Sequence, residues 1–150
     1  MDYYPWIGTT TLHFVLGASL TNGCQLTYTS TSAFTSQLTN AIATWNNLTG
    51  VDVLSATTTP DVSISDANRD DVVWKGITSF ASGTIILNSY YLVGQTSDQI
   101  RNTITHEIGH TLGLDHSYTG NVMYFNQTNQ TNLGPIDLSD YYYIWNNVCP

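Results

Sequence analysis

The run of secondary-structure signals along this 150-residue chain predicts an α+β fold. Three observations carry that prediction. Residues 9–17 alternate apolar and polar with period two, as a strand does. Residues 32–48 and 97–112 repeat apolar residues every three or four positions, as helices do. The remaining extended stretches lie together between those two helices, so strands and helices are grouped rather than alternating.

Taken in order, Leu12, Phe14 and Leu16 share one face of the first expected strand, and His13 on the other face reads as a surface or rim histidine. In residues 32–48, Phe34, Leu38, Ile42 and Trp45 form an apolar stripe; Ser32 can cap the start and Gly50 can end the helix. Residues 51–55 and 61–65 are short strands, and residues 66–71 a polar loop. Residues 72–80 and 83–92 are extended. The helix of residues 97–112 has Ser97 as its expected cap and Asp98 at its positive end. Ile100, Ile104, Ile108 and Leu112 step by four along one side of it, and His106 and His110 lie on another. Residues 117–135 are loop-like, and a last helix is expected from near Leu138 through Ile144 and Trp145. The whole of residues 1–150 reads as a single domain, with no repeat or long linker.

Composition limits the partners. The chain carries 3 basic and 11 acidic residues, a net charge of −8, which disfavours nucleic acid and anionic membranes. Its hydrophobic fraction of 41% is enough for a real core, and no apolar run has the length of a membrane span. Cys24 and Cys149 belong to no Cys-x-x-Cys pair, so thiolate zinc ligation is not indicated. They are candidates for one disulfide in an oxidising compartment or for two separate buried thiols, and the sequence does not prove a pairing. No signal peptide is visible at the start, and a mature, secreted, monomeric form is the expectation. Sequons at Asn47, Asn126 and Asn129 are explained by the abundance of Asn and Thr.

One short stretch concentrates the chemistry. Glu107 is the only Glu in the chain, and three of the 4 His residues lie within residues 106–116. His106 and His110, four apart on a helix, can both reach one metal ion. Glu107 stands beside such an ion, where it can take a proton from a water. Gly113 can stop the helix in a left-handed turn, and the reversal would return His116 as a third ligand. Three neutral nitrogens and a water are the open tetrahedral arrangement of catalytic zinc, which acidifies the water and polarises a carbonyl. Five such residue types at fixed offsets coincide by chance in roughly one chain of this length in 10⁵.

The stretch from His106 to His116 resembles the zinc signature of the metzincin metallopeptidases. Met123, seven residues past His116, fits the clan's Met-turn and would support the site by packing. Ser117 after the third His and Tyr124 after the Met are similar to the matrixin (matrix metalloproteinase) family. That resemblance implies a zincin-like catalytic domain. Its parts are a twisted mixed sheet of about five strands, an active-site helix, a second backing helix and a C-terminal helix. It also implies that residues 72–80 are the antiparallel edge strand along the substrate, with residues 83–92 beside it, and that the partner is a protein or peptide substrate. Departures are equally plain. Outside the motif only His13 remains for a second zinc. The family's calcium loop is not recognisable, and Asp66, Asp70 and Asp71 could hold Ca2+, though a solvated loop is the preferred reading. Phe125 stands where matrixins usually have Pro, so their substrate preferences do not carry over. Asp115 could serve as a ligand in place of His116, but the offset from Gly113 selects His116. The sequence therefore predicts a zinc-dependent endopeptidase. Two alternatives are a catalytically silent zinc-bearing binding module and a closed structural zinc domain.

Overall fold

Strands β1 (Gln25–Ser30), β2 (Asp52–Ser55), β3 (Val62–Ala67), β4 (Gly76–Ser79) and β5 (Thr84–Asn88) form one sheet in a computed structural model, which describes residues 12–150. The order is β2-β1-β3-β5-β4. The pairs β1–β2, β1–β3 and β3–β5 are parallel, and β4 closes the edge antiparallel to β5, with Gly76 opposite Leu87 and Ser79 opposite Thr84. Helices α1 (Thr35–Asn46), α2 (Ser89–Leu92), α3 (Ser97–Thr111) and α4 (Pro135–Trp145) complete an α+β architecture.

The period-two pattern of the strands sets the core. Val62 and Ile64 of β3, and Ile85 and Leu87 of β5, are buried, while Ser63 between the first two is exposed. Against this face lie Leu38, Ala41, Ile42 and Trp45 of α1 and the stripe Ile100, Ile104 and Ile108 of α3. Trp45 Nε1 donates to Thr105 O at 3.0 Å, which fixes α1 against α3. Trp145 Nε1 donates to Leu112 O at 3.0 Å and does the same for α4. Cys24, just before β1, and Cys149, just after α4, are joined in a disulfide. No helix among the described residues is long and apolar enough to cross a membrane.

Several elements differ from the sequence expectation. Residues 9–11 lie outside the described residues, and residues 12–17 are not a strand. Val15 forms only an isolated antiparallel bridge with Leu114, because the segment lies on the turn after α3 instead of joining the sheet. Leu12 and Leu16 are consequently exposed. The first strand among the described residues is β1, where Leu26 and Tyr28 alternate with Thr27 and Thr29. The cap of α1 is Phe34, and the Ser32 hydroxyl accepts from Phe34 N at 3.1 Å in the preceding turn. Asn47, not Gly50, closes α1. Gly50 instead has φ +153°, and a Cβ there would meet Tyr141 Oη at 2.6 Å. That hydroxyl accepts from Val51 N at 2.8 Å.

β3 runs on to Ala67, so Asp66 belongs to a strand and not to a loop. The extended stretch 83–92 stops at Asn88, whose side chain accepts from Tyr90 N and starts α2. Likewise only Gly76–Ser79 of residues 72–80 is strand. In α3 the cap is Thr96 rather than Ser97: Thr96 Oγ1 accepts from Gln99 N and Gln99 Oε1 from Thr96 N. α4 begins at Pro135, three residues before Leu138, because proline suits a first helical turn and Asp137 accepts from Gly134 N at 2.8 Å.

Candidate active site

Burial of the isoleucine stripe fixes the rotation of α3, and that rotation turns His106 and His110 away from the core. Beyond them the helix ends in a Schellman turn. Gly113 N donates to His110 O and Leu114 N to Gly109 O, both at 3.0 Å, with Gly113 at φ +100°. The reversed chain brings back His116. The ligand atoms of His106, His110 and His116 all lie within 4.8 Å of one another.

Each helical histidine is oriented through its other nitrogen. His106 Nδ1 donates to Val122 O, and His110 Nδ1 to Leu114 O, both at 2.8 Å. That tautomer leaves the Nε2 lone pairs free. Burial keeps both rings neutral, pushing His106 down to about 3 and lowering His110 as well. His110 Nε2 and His116 Nε2 stand 3.2 Å apart. Two nitrogens bound at ~2.0–2.1 Å to one tetrahedral zinc would be about 3.3 Å apart, so the donor set and the spacing of this pair fit that ion. Asp115 takes no part: its Oδ1 accepts from His116 N at 2.7 Å.

Glu107 is buried on the same helix. Its Oε1 accepts from Thr78 Oγ1 of β4 at 2.8 Å. Burial raises this carboxyl to about 7, against the opposing effect of the Thr78 hydrogen bond. β4 comes this close only because residue 76 is Gly, where a Cβ would meet Glu107 Cγ at 3.0 Å and Thr103 Cγ2 at 3.1 Å. The resulting cleft of about 250 Å³ lies between residues 73–76 and 125–127, with Glu107, His106 and His116 in its lining.

Met123 is buried beneath α3. Gly109 makes room for it, since a Cβ there would run into Met123 Sδ and come within 3.1 Å of Trp45 Cζ2. Met123 O accepts from Ser117 N at 2.9 Å, and Tyr124 bridges to Ser117, so the two sides of the loop are tied beside His116.

The sequence reading missed Asp137 and Asn121. Asp137 is fully buried and accepts from Val122 N at 2.7 Å, Met123 N at 3.1 Å and Gly134 N at 2.8 Å. Asn121 Oδ1 accepts from Ile136 N and Asp137 N at the start of α4. Together they clamp the Met123 turn to α4. The only signal in the sequence was an Asp in the first turn of a helix. Thr78 and Gly76 were missed too, since neither type is unusual in a strand.

Other expected ligands are engaged elsewhere. Asp66 Oδ2 accepts from Ala33 N at 2.8 Å, and Asp71 is paired with Arg69 at 2.7 Å. Among the described residues the histidine trio is the only group of three or more His, Cys, Asp or Glu gathered at metal-binding distance, so calcium at Asp66, Asp70 and Asp71 has no support. His13 is part-buried, its Nδ1 lying 3.0 Å from Asp140 Oδ1 and its ring stacked on Tyr143.

The solved structure of myroilysin superposes on this fold with a TM-score of 0.64 over 87% of this chain and 97% of that chain. At 13% identity, this likeness concerns the fold alone. No curated protein matches the sequence. A family model matches residues 33–135, more than half of the chain, a span that includes the histidine trio, Glu107 and Met123. The chain thus belongs to the pappalysin-type metallopeptidase family described as Peptidase_M43: Pregnancy-associated plasma protein-A.

Proposed function

We propose that this chain is a zinc-dependent endopeptidase in which His106, His110 and His116 hold the ion and Glu107 is the general base. The observation that carries this reading is the convergence of three imidazoles, two of them oriented through Nδ1, beside a buried carboxyl that lines the cleft. Zinc held there would supply an acidified water and a Lewis acid for the scissile carbonyl. Glu107 takes the proton of the attacking water and passes it to the leaving amine. Burial of the carboxyl favours its holding the proton between the two transfers. Thr78 steadies Oε1 and leaves the other oxygen for that work. Gly113 and Met123 support the ligands from behind and below.

β4 supplies the rail. It is an edge strand, and a peptide can add to it antiparallel while its scissile bond lies over Glu107. The chain acts as one catalytic domain, residues 1–150, and as a monomer. Its disulfide accords with an extracellular site of action. The narrower likeness to matrixins rests mainly on Ser117 and Tyr124, which tie the Met123 turn to the third histidine, and more weakly on the patterns of residues 32–48, 72–80, 83–92 and 138–147; the family match does not draw it.

Casein or gelatin cleavage by the pure protein tests the reading. Cleavage should stop with a chelator and return with added zinc. Chelator-insensitive cleavage, or none over a range of substrates, would overturn it.

A further inference from the structure

The chain has three permanently cationic side chains: Arg69, Lys75 and Arg101. Arg69 is engaged with Asp71, its Nε and Nη2 each donating at 2.7 Å. Arg101 lies on α3 and its Nη2 donates to Thr44 Oγ1 at 2.9 Å. Neither Arg101 nor Lys75 has an anionic partner among the described residues, although the chain is rich in Asp. Lys75 differs in its position. It lines the cleft that contains Glu107, His106 and His116.

Lys75 is held in place by groups that bring it no counter-charge among the described residues. Its carbonyl accepts from Asn88 N at 2.7 Å, which anchors the backbone just before β4. Its ammonium lies 5.9 Å from the centre of the Tyr91 ring, and the Tyr91 hydroxyl donates to Val72 O at 2.6 Å. The ring braces the lysine through its face and brings no counter-charge. Across the cleft, beside Phe125, stand polar side chains that are already engaged. Gln127 Nε2 is shared among Gln95 Oε1, Gln99 O and Thr103 Oγ1, and Asn102 Nδ2 is held by Thr128 Oγ1 and Gln130 O. These amides and hydroxyls share the lining with Val73, Trp74 and Phe125, and Lys75 is its one cationic side chain of fixed charge.

We propose that Lys75 determines specificity, and that the pocket beside Glu107 takes an acidic side chain, Asp or Glu, next to the bond that is cut. This rests on the peptidase reading of the cleft. The net charge of −8 opposes acidic proteins at long range, but salt screens that field over about 8 Å at physiological ionic strength. Lys75 acts at contact distance and survives the screening. The selection therefore shows between peptides that differ at one residue, and not in overall affinity for acidic proteins.

The experiment uses the full-length, zinc-loaded protein and quenched-fluorescence peptides blocked at both ends, so that the only carboxylate is in a side chain. Matched peptides carry Glu or Gln, and Asp or Asn, at each residue flanking the cleaved bond. The expected kcat/KM ratio of acid to amide is about fivefold in the wild type at one of those positions, the upper range for a half-exposed ion pair. In Lys75→Gln the ratio falls to about one, and in Lys75→Glu it drops below one and a Lys peptide becomes preferred. Cleavage with no acid preference, or a preference that persists in Lys75→Gln, overturns the proposal and leaves the peptidase reading standing. A preference that appears only when the peptide's C-terminus is left unblocked assigns the contact to the chain end and also overturns it. Absence of any zinc-dependent cleavage across the library overturns the peptidase reading itself, and the proposal with it.

Discussion

Glu107 is a carboxyl held where its charge is poorly solvated. In the metal-free fold it ionises near 7, against 4.5 for an unperturbed group, so the fold binds its proton more tightly than the unfolded chain does. Its contribution to stability is full below about pH 4.5 and is lost as pH rises through 7. His106, pushed down to about 3, has the opposite dependence: its contribution is present above 6.5 and lost as pH falls toward 3. Glu107→Gln removes the first slope and keeps the second. Urea unfolding of the chelated proteins should show the variant's advantage growing between pH 4.5 and 7 and levelling on the order of 3 kcal/mol. A pH-independent difference would refute the burial account. Gly109→Ala is the packing counterpart, since its methyl would displace Met123 and press on Trp45. A loss of roughly 1–3 kcal/mol is expected, read from the thermal midpoint, and an unchanged midpoint would show that Met123 is free to shift. At this scale the gathering of His106, His110 and His116 was legible because a helix and a glycine turn set their spacing locally. Thr78, 29 residues before Glu107 in the chain, was not, because only the sheet brings the two together.

The elements differ in how far local pattern decides them. α3 is readable from its stripe and its end from Gly113, and only the cap moved, by one residue, because Thr96 and Gln99 close a reciprocal pair. β1 alternates as clearly as any strand but is short and rich in Thr, so its pattern does not separate it from a loop. Residues 12–17 alternate as well and form no strand, since their hydrogen-bonding partners are residues 113–115 and not a sheet edge. Alternation reports an extended backbone; pairing is settled by what lies alongside. The start of α4 is the element on which the site depends most. Asp137→Ala would leave three backbone N–H groups without an acceptor, at a cost of roughly 2–4 kcal/mol in urea unfolding. Val122, whose carbonyl orients His106, would also be loosened. Zinc retention against a competing chelator should therefore fall about tenfold or more. Destabilisation with unchanged zinc affinity would separate α4 from the site.

For the whole molecule, the bond between Cys24 and Cys149 spans 125 residues and ties the start of the sheet to the end of α4. The chain-entropy model assigns such a closure about 4–5 kcal/mol. Reduction or Cys149→Ser should lower the thermal midpoint sharply, and an unaltered midpoint would show that other contacts already hold α4. The α+β class was legible because strands and helices are grouped in the sequence, whereas the strand order was not, since parallel pairings such as β1 with β3 join segments far apart in the chain. The most direct test of the site as a whole compares wild type with Glu107→Ala for bound zinc and for casein cleavage in the same preparations. Both should hold close to one zinc per chain, and cleavage should fall by at least about 10²-fold in the variant. Equal cleavage by the two proteins, or a zinc-loaded wild type that cleaves nothing, would contradict the assignment of His106, His110, His116 and Glu107 as one catalytic unit.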